Sequence, residues 1–110
     1  MGISTHILDT TKGKPAPGVT VWLELLDGAT WRRVGEGVTN EDGRVKPLLG
    51  TIPRAGTYRI HFEVADYFRQ QHQDAFFPSV TIAFTVRAVE EHYHVPLLLN
   101  PFGYSTYRGS

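Results

Sequence analysis

Three stretches of this 110-residue chain alternate their side chains with a period of two. Val19, Val21, Leu23 and Leu25 alternate with Thr20, Trp22, Glu24 and Leu26. Tyr58, Ile60, Phe62 and Val64 alternate with Thr57, Arg59, His61 and Glu63. Val80, Ile82, Phe84 and Val86 alternate with Thr81, Ala83, Thr85 and Arg87. Successive side chains of an extended strand point to opposite faces, so each run has one apolar face and suits a half-buried strand. Shorter candidates are Ile3–Asp9, Trp31–Thr39, Arg44–Leu48, His92–Leu99 and Tyr104–Arg108. Turn signals separate them: KGKPAPG at Lys12–Gly18, Asp27-Gly28, NEDG at Asn40–Gly43, Pro53–Gly56 and Asn100–Gly103.

One stretch, DYFRQQHQ at Asp66–Gln73, lacks alternation and is rich in helix formers, so it predicts a short surface helix. Eight short strands with tight turns and one helix imply an all-β fold: two antiparallel sheets packed face to face, one domain over residues 1–110. An open sandwich leaves edge strands to be blocked or paired. Pro47 and Pro96 are expected to blunt edges, since proline cannot donate to a ladder, whereas the terminal strand has no such block. Edge-to-edge association is therefore expected.

Composition removes several classes of function. Lysine and arginine number 11 against 11 acidic residues, so no basic excess points to nucleic acid or an anionic membrane surface. Apolar runs never approach the roughly 20 residues that cross a bilayer. Cysteine is absent, which excludes disulfides and thiolate metal sites. Neither a leader at MGISTHILD nor a Ser-Lys-Leu ending is present, and the expected location is cytoplasmic.

Chemistry-bearing residues stand at five places. His92 and His94, two apart on a strand, would share a face about 7 Å apart. That spacing suits two ligands of one metal, two contacts to one substrate, or two solvated surface histidines. His61 and Glu63 repeat it, but no third cluster supports a metal, and none is expected. His6 lies in an apolar strand, where a histidine satisfied by a carbonyl is the plain alternative to a working imidazole. Arg44 leaves the NEDG turn at the start of a strand, placed to grip a planar anion with two parallel hydrogen bonds or to sit as an ordinary surface cation. The ending, YSTYRGS, crowds Ser105, Thr106, Tyr107 and Ser110 around Arg108, and a polar edge strand does not account for its two tyrosines. No nucleophile elbow, phosphate loop or thiol is present.

Over its whole length the chain resembles the transthyretin-like proteins and, among them, the 5-hydroxyisourate hydrolases. The resemblance is carried by STHILDTTKGKPAPGV at Ser4–Val19, TNEDGR at Thr39–Arg44 and HYHVPLLLNPFGYSTYRGS at His92–Ser110. The YRGS ending is the most specific of these. Asn100 stands where many members have serine, an exchange that a turn accommodates. The resemblance implies an eight-stranded sandwich assembled as a homotetramer around a channel, with sites at a subunit interface and no cofactor. It implies catalytic roles for His6, Arg44 and His94, and substrate contacts from His6, Arg44, Tyr107, Arg108, Gly109 and Ser110. His92 falls outside the matched positions and is expected on the surface. The carrier branch of the family has lysine, glutamate and threonine where this chain has His6, Arg44 and His94, so the enzyme is the implied branch. Its substrate, 5-hydroxyisourate, is a small flat ring opened at a cyclic amide in urate degradation. An imidazole pair would activate water and an arginine would hold the oxyanion. The competing expectation is a carrier of flat aromatic ligands that turns nothing over.

Overall fold

A computed structural model of the chain describes residues 2–51, 53–87 and 91–110. The strands are β1 (Gly2–Asp9), β2 (Lys14–Pro15), β3 (Thr20–Asp27), β4 (Thr30–Val38), β5 (Arg44–Leu49), β6 (Gly56–Glu63), β7 (Val80–Val86), β8 (His92–Asn100) and β9 (Gly103–Thr106). The helix α1 (Ala65–Gln70) lies between β6 and β7. All eight expected strands form. A ninth, the two-residue β2, arises because the KGKP turn folds back and pairs Leu8 with Pro15 and Asp9 with Lys14.

The strands divide into two sheets. One runs β4-β3-β6-β7 and the other β2-β1-β8-β9, with β5 also paired to β1. Between them the alternating apolar residues meet: Ile3, Ile7, Val21, Leu23, Ile60, Phe62, Leu97 and Leu99 are essentially without solvent contact. Burial of this kind contributes about 25 cal/mol per Å² of apolar surface, which makes the core the main source of stability. Leu26, apolar but on the outward parity of its run, faces solvent beside the buried Leu25.

Three expectations are corrected. The sandwich is not wholly antiparallel: β1 and β8 run parallel from Gly2↔His92 to Asp9↔Leu99. No hairpin joins these strands, so loop geometry does not force them to oppose. Pro96 does not blunt an edge either, since β8 lies between β1 and β9. Its carbonyl faces β9 and accepts the Thr106 hydroxyl at 2.7 Å. The missing N–H points to that same side, in the gap between the last β9 pair, Leu97↔Thr106, and the bridge at His94↔Gly109. Pro47 does lie on an edge strand, β5. The helix is shorter than Asp66–Gln73 and starts one residue earlier; it stops where His72 takes the left-handed backbone (φ 58°), a position no glycine announces.

The helix is pinned under the start of the chain. Tyr67 donates its hydroxyl to Asp9 Oδ2 at 2.6 Å, and Asp9 Oδ1 accepts the backbone N–H groups of Thr11 and Lys12. Asp9 is fully buried, so these bonds compensate a charge removed from water. Burial first, and the Asp9 carboxylate second, hold the Tyr67 phenol far above its ordinary range.

Candidate active site

The NEDG turn builds one side of the site. Asn40 Oδ1 accepts the backbone N–H groups of Asp42 and Arg44 at 2.9 and 3.1 Å. Gly43 takes a positive φ of 72°, and a Cβ there would stand 2.5 Å from the Ile7 carbonyl. Only glycine allows that backbone and that approach. The Gly43 carbonyl then accepts the Ile7 N–H at 2.8 Å, and β5 pairs with β1 so that Arg44 lies opposite His6. A turn signal in the sequence thus fixes the pairing of two distant side chains.

The parallel pairing of β1 with β8 builds the other side. Ile3, Thr5, Ile7 and Asp9 are buried toward the core, leaving Ser4, His6 and Leu8 on the outward face of β1. In the same way Tyr93, Val95, Leu97 and Leu99 point inward from β8, and His92 and His94 outward. Ser4 is level with His94, and the His6 and His94 rings stand 6.5 Å apart between centroids. The described structure thus brings His6, Arg44 and His94 onto one face of one sheet.

The chain ending supplies the third side. Beyond β9 the backbone leaves the ladder and returns, with Gly109 N–H donating to the His94 carbonyl at 2.8 Å. A Cβ on Gly109 would lie 2.6 Å from His94 Cδ2, so the glycine of YRGS lets the ending pass over the imidazole. Ser4, Thr5, Arg44, His92, His94 and Ser110 enclose a cavity of about 280 Å³. His6 is not among those lining residues but stands beside it, half-buried.

Tyr107 and Arg108 go elsewhere. They line a neighbouring, mainly apolar cavity of about 320 Å³, shared with Tyr93, His94, Val95 and the β7 residues 82–85. Arg108 donates to Glu91 Oε1 at 2.7 Å and lies over the Tyr93 ring at 4.5 Å. Of the four terminal residues, Gly109 packs on His94, Ser110 shares the first cavity with His92 and His94, and Tyr107 and Arg108 share the second with His94.

His92, expected as a surface residue, is exposed yet lines the cavity. Ser4, which the residue pattern did not single out, bridges the two β8 histidines, with Oγ 2.8 Å from His92 Nε2 and 2.8 Å from His94 Nδ1. The signal for His92 was its spacing from His94. Ser4 had none, because its neighbours come from a strand some 90 residues away.

Electrostatics distinguish His6. Burial lowers its pKa below the ordinary histidine value, the Arg44 charge lowers it further, and the Asp42 backbone and carboxylate oppose both. A lowered pKa leaves the ring neutral near pH 7 and able to accept a proton. Among the described residues no group of three or more His, Asp or Glu side chains could hold a metal ion. The His61–Glu63 pair is bonded to itself, and His61 also stacks on Trp22 at 4.1 Å and meets the Thr81 hydroxyl at 3.1 Å.

A model of the HIUase/Transthyretin family matches residues 3–109. The chain belongs to the HIUase/transthyretin family. A 5-hydroxyisourate hydrolase of Salmonella dublin is 48% identical over 109 residues, which cover 98% of this chain and 80% of that protein. The solved 5-hydroxyisourate hydrolase of Klebsiella pneumoniae superposes with a TM-score of 0.87 at 36% identity, over 100% of both chains. Sea bream transthyretin, solved with thyroxine, superposes with a TM-score of 0.92 at 28% identity, over 99% of this chain and 95% of that one. A hydrolase and a transthyretin therefore share this backbone about equally well. The side chains on its outward face must decide between them.

Proposed function

We propose that this chain is a hydrolase that opens the six-membered ring of 5-hydroxyisourate at a cyclic amide, giving the ureidoimidazoline product in urate degradation. The observation that carries this reading is the meeting of His6, Arg44 and His94 beside one small cavity. Relatives named 5-hydroxyisourate hydrolase at 48% identity support it. A cavity of about 280 Å³ is at the small end of ligand sites, which suits a single flat heterocycle.

Each group has a role that its surroundings favour. Neutral His6 takes a proton from a water molecule as the water oxygen adds to the ring carbonyl carbon. Arg44, at the start of β5 beside His6, holds the carbonyl oxygen as it becomes an oxyanion and binds the flat ring with its planar fork. The carbon–nitrogen bond then breaks, and His94 gives a proton to the departing ring nitrogen. Ser110 offers its hydroxyl to the substrate, and Gly109 keeps the ending against His94. Tyr107 and Arg108 act in substrate binding from the rim, through a homotetramer in which a neighbouring chain closes the cleft.

The experiment is spectroscopic. Uricase generates 5-hydroxyisourate in place, and its absorbance decay is followed with and without this chain. The decay is expected to accelerate strongly, and His94→Thr is expected to lower kcat by about two to four orders of magnitude. Decay at the spontaneous rate with the unaltered protein would reject the hydrolase reading. Ligand retention without decay would favour a carrier of flat aromatics, the reading that the likeness to sea bream transthyretin supports.

A further inference from the structure

His92 lies outside the groups just assigned to the reaction, yet its ring is tied to one of them. Ser4 Oγ is 2.8 Å from His92 Nε2 and 2.8 Å from His94 Nδ1. The contact is built by the parallel register, Gly2↔His92 and Ser4↔His94, which sets the serine between two imidazoles of the adjacent strand. Ser4 is 8% exposed, so water is a poor substitute for either partner. His92 is exposed and can exchange protons with solvent.

A hydroxyl has one hydrogen to donate and two lone pairs with which to accept. If both rings turned lone pairs toward Ser4, one contact would have no hydrogen in it. The single Ser4 hydrogen can therefore serve only one of the two rings, and when it does the other ring must turn an N–H toward Ser4. The geometry points to a one-way chain in which His92 Nε2–H donates to Ser4 Oγ and Ser4 O–H donates to His94 Nδ1. This holds the His94 hydrogen on Nε2 and makes His92 and Ser4 positioning residues for the reaction. The assignment rests on the hydrolase reading for its purpose, since a ring that protonates a leaving nitrogen needs its hydrogen on the outgoing side. The opposite direction would present a lone pair at His94 Nε2 and duplicate the base already supplied by His6.

The chain also refills the proton that His94 spends. As the carbon–nitrogen bond breaks, its electron pair stays on nitrogen, which takes the Nε2 proton of His94. The Ser4 hydroxyl proton passes to His94 Nδ1, and the His92 Nε2 proton passes to Ser4 Oγ. His92 Nδ1 takes one proton from water. His94 never carries a net charge. The proton that His6 took from the attacking water then reaches His94 Nε2 across the 6.5 Å between the rings, by way of solvent, and the chain runs backward. One proton has entered at His92 and one has left there.

The direction is read without substrate, from the two-bond proton–nitrogen couplings of the imidazoles in the 15N-labelled protein. His94 is expected as the Nε2–H tautomer in the unaltered chain and as a mixture in Ser4→Ala. An Nδ1–H tautomer at His94 in the unaltered chain would overturn the assignment, whatever the activity. In turnover, Ser4→Ala and His92→Phe should each lower kcat by about 10-fold to 100-fold, the range for losing a partner that orients a working imidazole. KM should stay within about two-fold, and Ser4→Thr, which keeps the hydroxyl, should recover most of the rate. Because His92 is exposed, His92→Phe decides the matter even if Ser4→Ala folds poorly. Full kcat in His92→Phe, with an active parent, would remove the relay and leave the hydrolase intact. An inactive parent would remove the hydrolase, while the couplings would still report which way Ser4 points.

Discussion

The side chain whose chemistry is most altered by its surroundings is His6. Its lowered pKa has two main causes, burial first and the Arg44 charge second, and they can be separated. Replacing Arg44 with Gln removes the second and leaves the first. The His6 ring protons, followed by NMR through a pH titration, should therefore move their midpoint upward in Arg44→Gln yet remain below the ordinary histidine value. A midpoint unchanged by the substitution would show that the guanidinium does not act on this ring. The sign carries over to stability: the unfolded chain binds a proton at His6 more readily than the folded one. Stability thus falls as pH drops through the ordinary histidine value toward the lowered one, and the loss is complete below it. At this scale the sequence was only partly legible. His6, Arg44 and His94 could be marked by type and position, because a histidine in an apolar strand and an arginine after a turn stand out. Ser4 could not, since a serine acquires meaning only from the two rings that 88 and 90 residues of separation bring to it.

Secondary elements explain why such distant residues meet. The eight longer strands were readable because an alternating face is a local property of sequence. Their pairing was not, and the parallel β1–β8 ladder, on which His6 and His94 both depend, has no hairpin to announce it. The helix end escaped for a different reason: it closes on a left-handed His72, with the His72 and Gln73 N–H groups bonded back to the Arg69 and Phe68 carbonyls, where glycine would have marked the stop. The NEDG turn is the exception, a local signal with a long-range consequence. Gly43→Ala forces an L side chain into a backbone at φ 72° and drives its Cβ to 2.5 Å from the Ile7 carbonyl. Strain of that kind costs on the order of 1–3 kcal/mol even before the clash. A fall in Tm on the order of 10 °C is expected. Activity measured well below the new Tm should drop as well, because the glycine carbonyl that bonds Ile7 sets Arg44 opposite His6. Unchanged melting and turnover would mean that the turn does not determine the pairing.

At the scale of the molecule, an isolated chain leaves the proposed site incomplete. The cavity lies on the outward face of the β2-β1-β8-β9 sheet, with His92 and Ser110 exposed at its rim. A site that takes a small ring usually encloses most of it. Along the β9 side of that sheet, Phe102, Tyr104 and Tyr107 are 70%, 41% and 59% exposed, and β9 ends the sheet with its outer edge unpaired among the described residues. Tyr107 and Arg108 line a second cavity that shares His94 with the first, and Tyr107 stands exposed there for another copy to cover. The formal net charge of zero at pH 7 offers little long-range repulsion to oppose association. Identical chains meeting through such patches close into symmetric sets, of which a dimer of dimers uses two different patches on every copy. Light scattering on the purified protein should accordingly give about four times the 12.3 kDa chain mass. Serial dilution should then show specific activity falling along with the scattering mass, since separating the copies opens the cleft. A chain that remains fully active as a monomer would place the whole site within one copy.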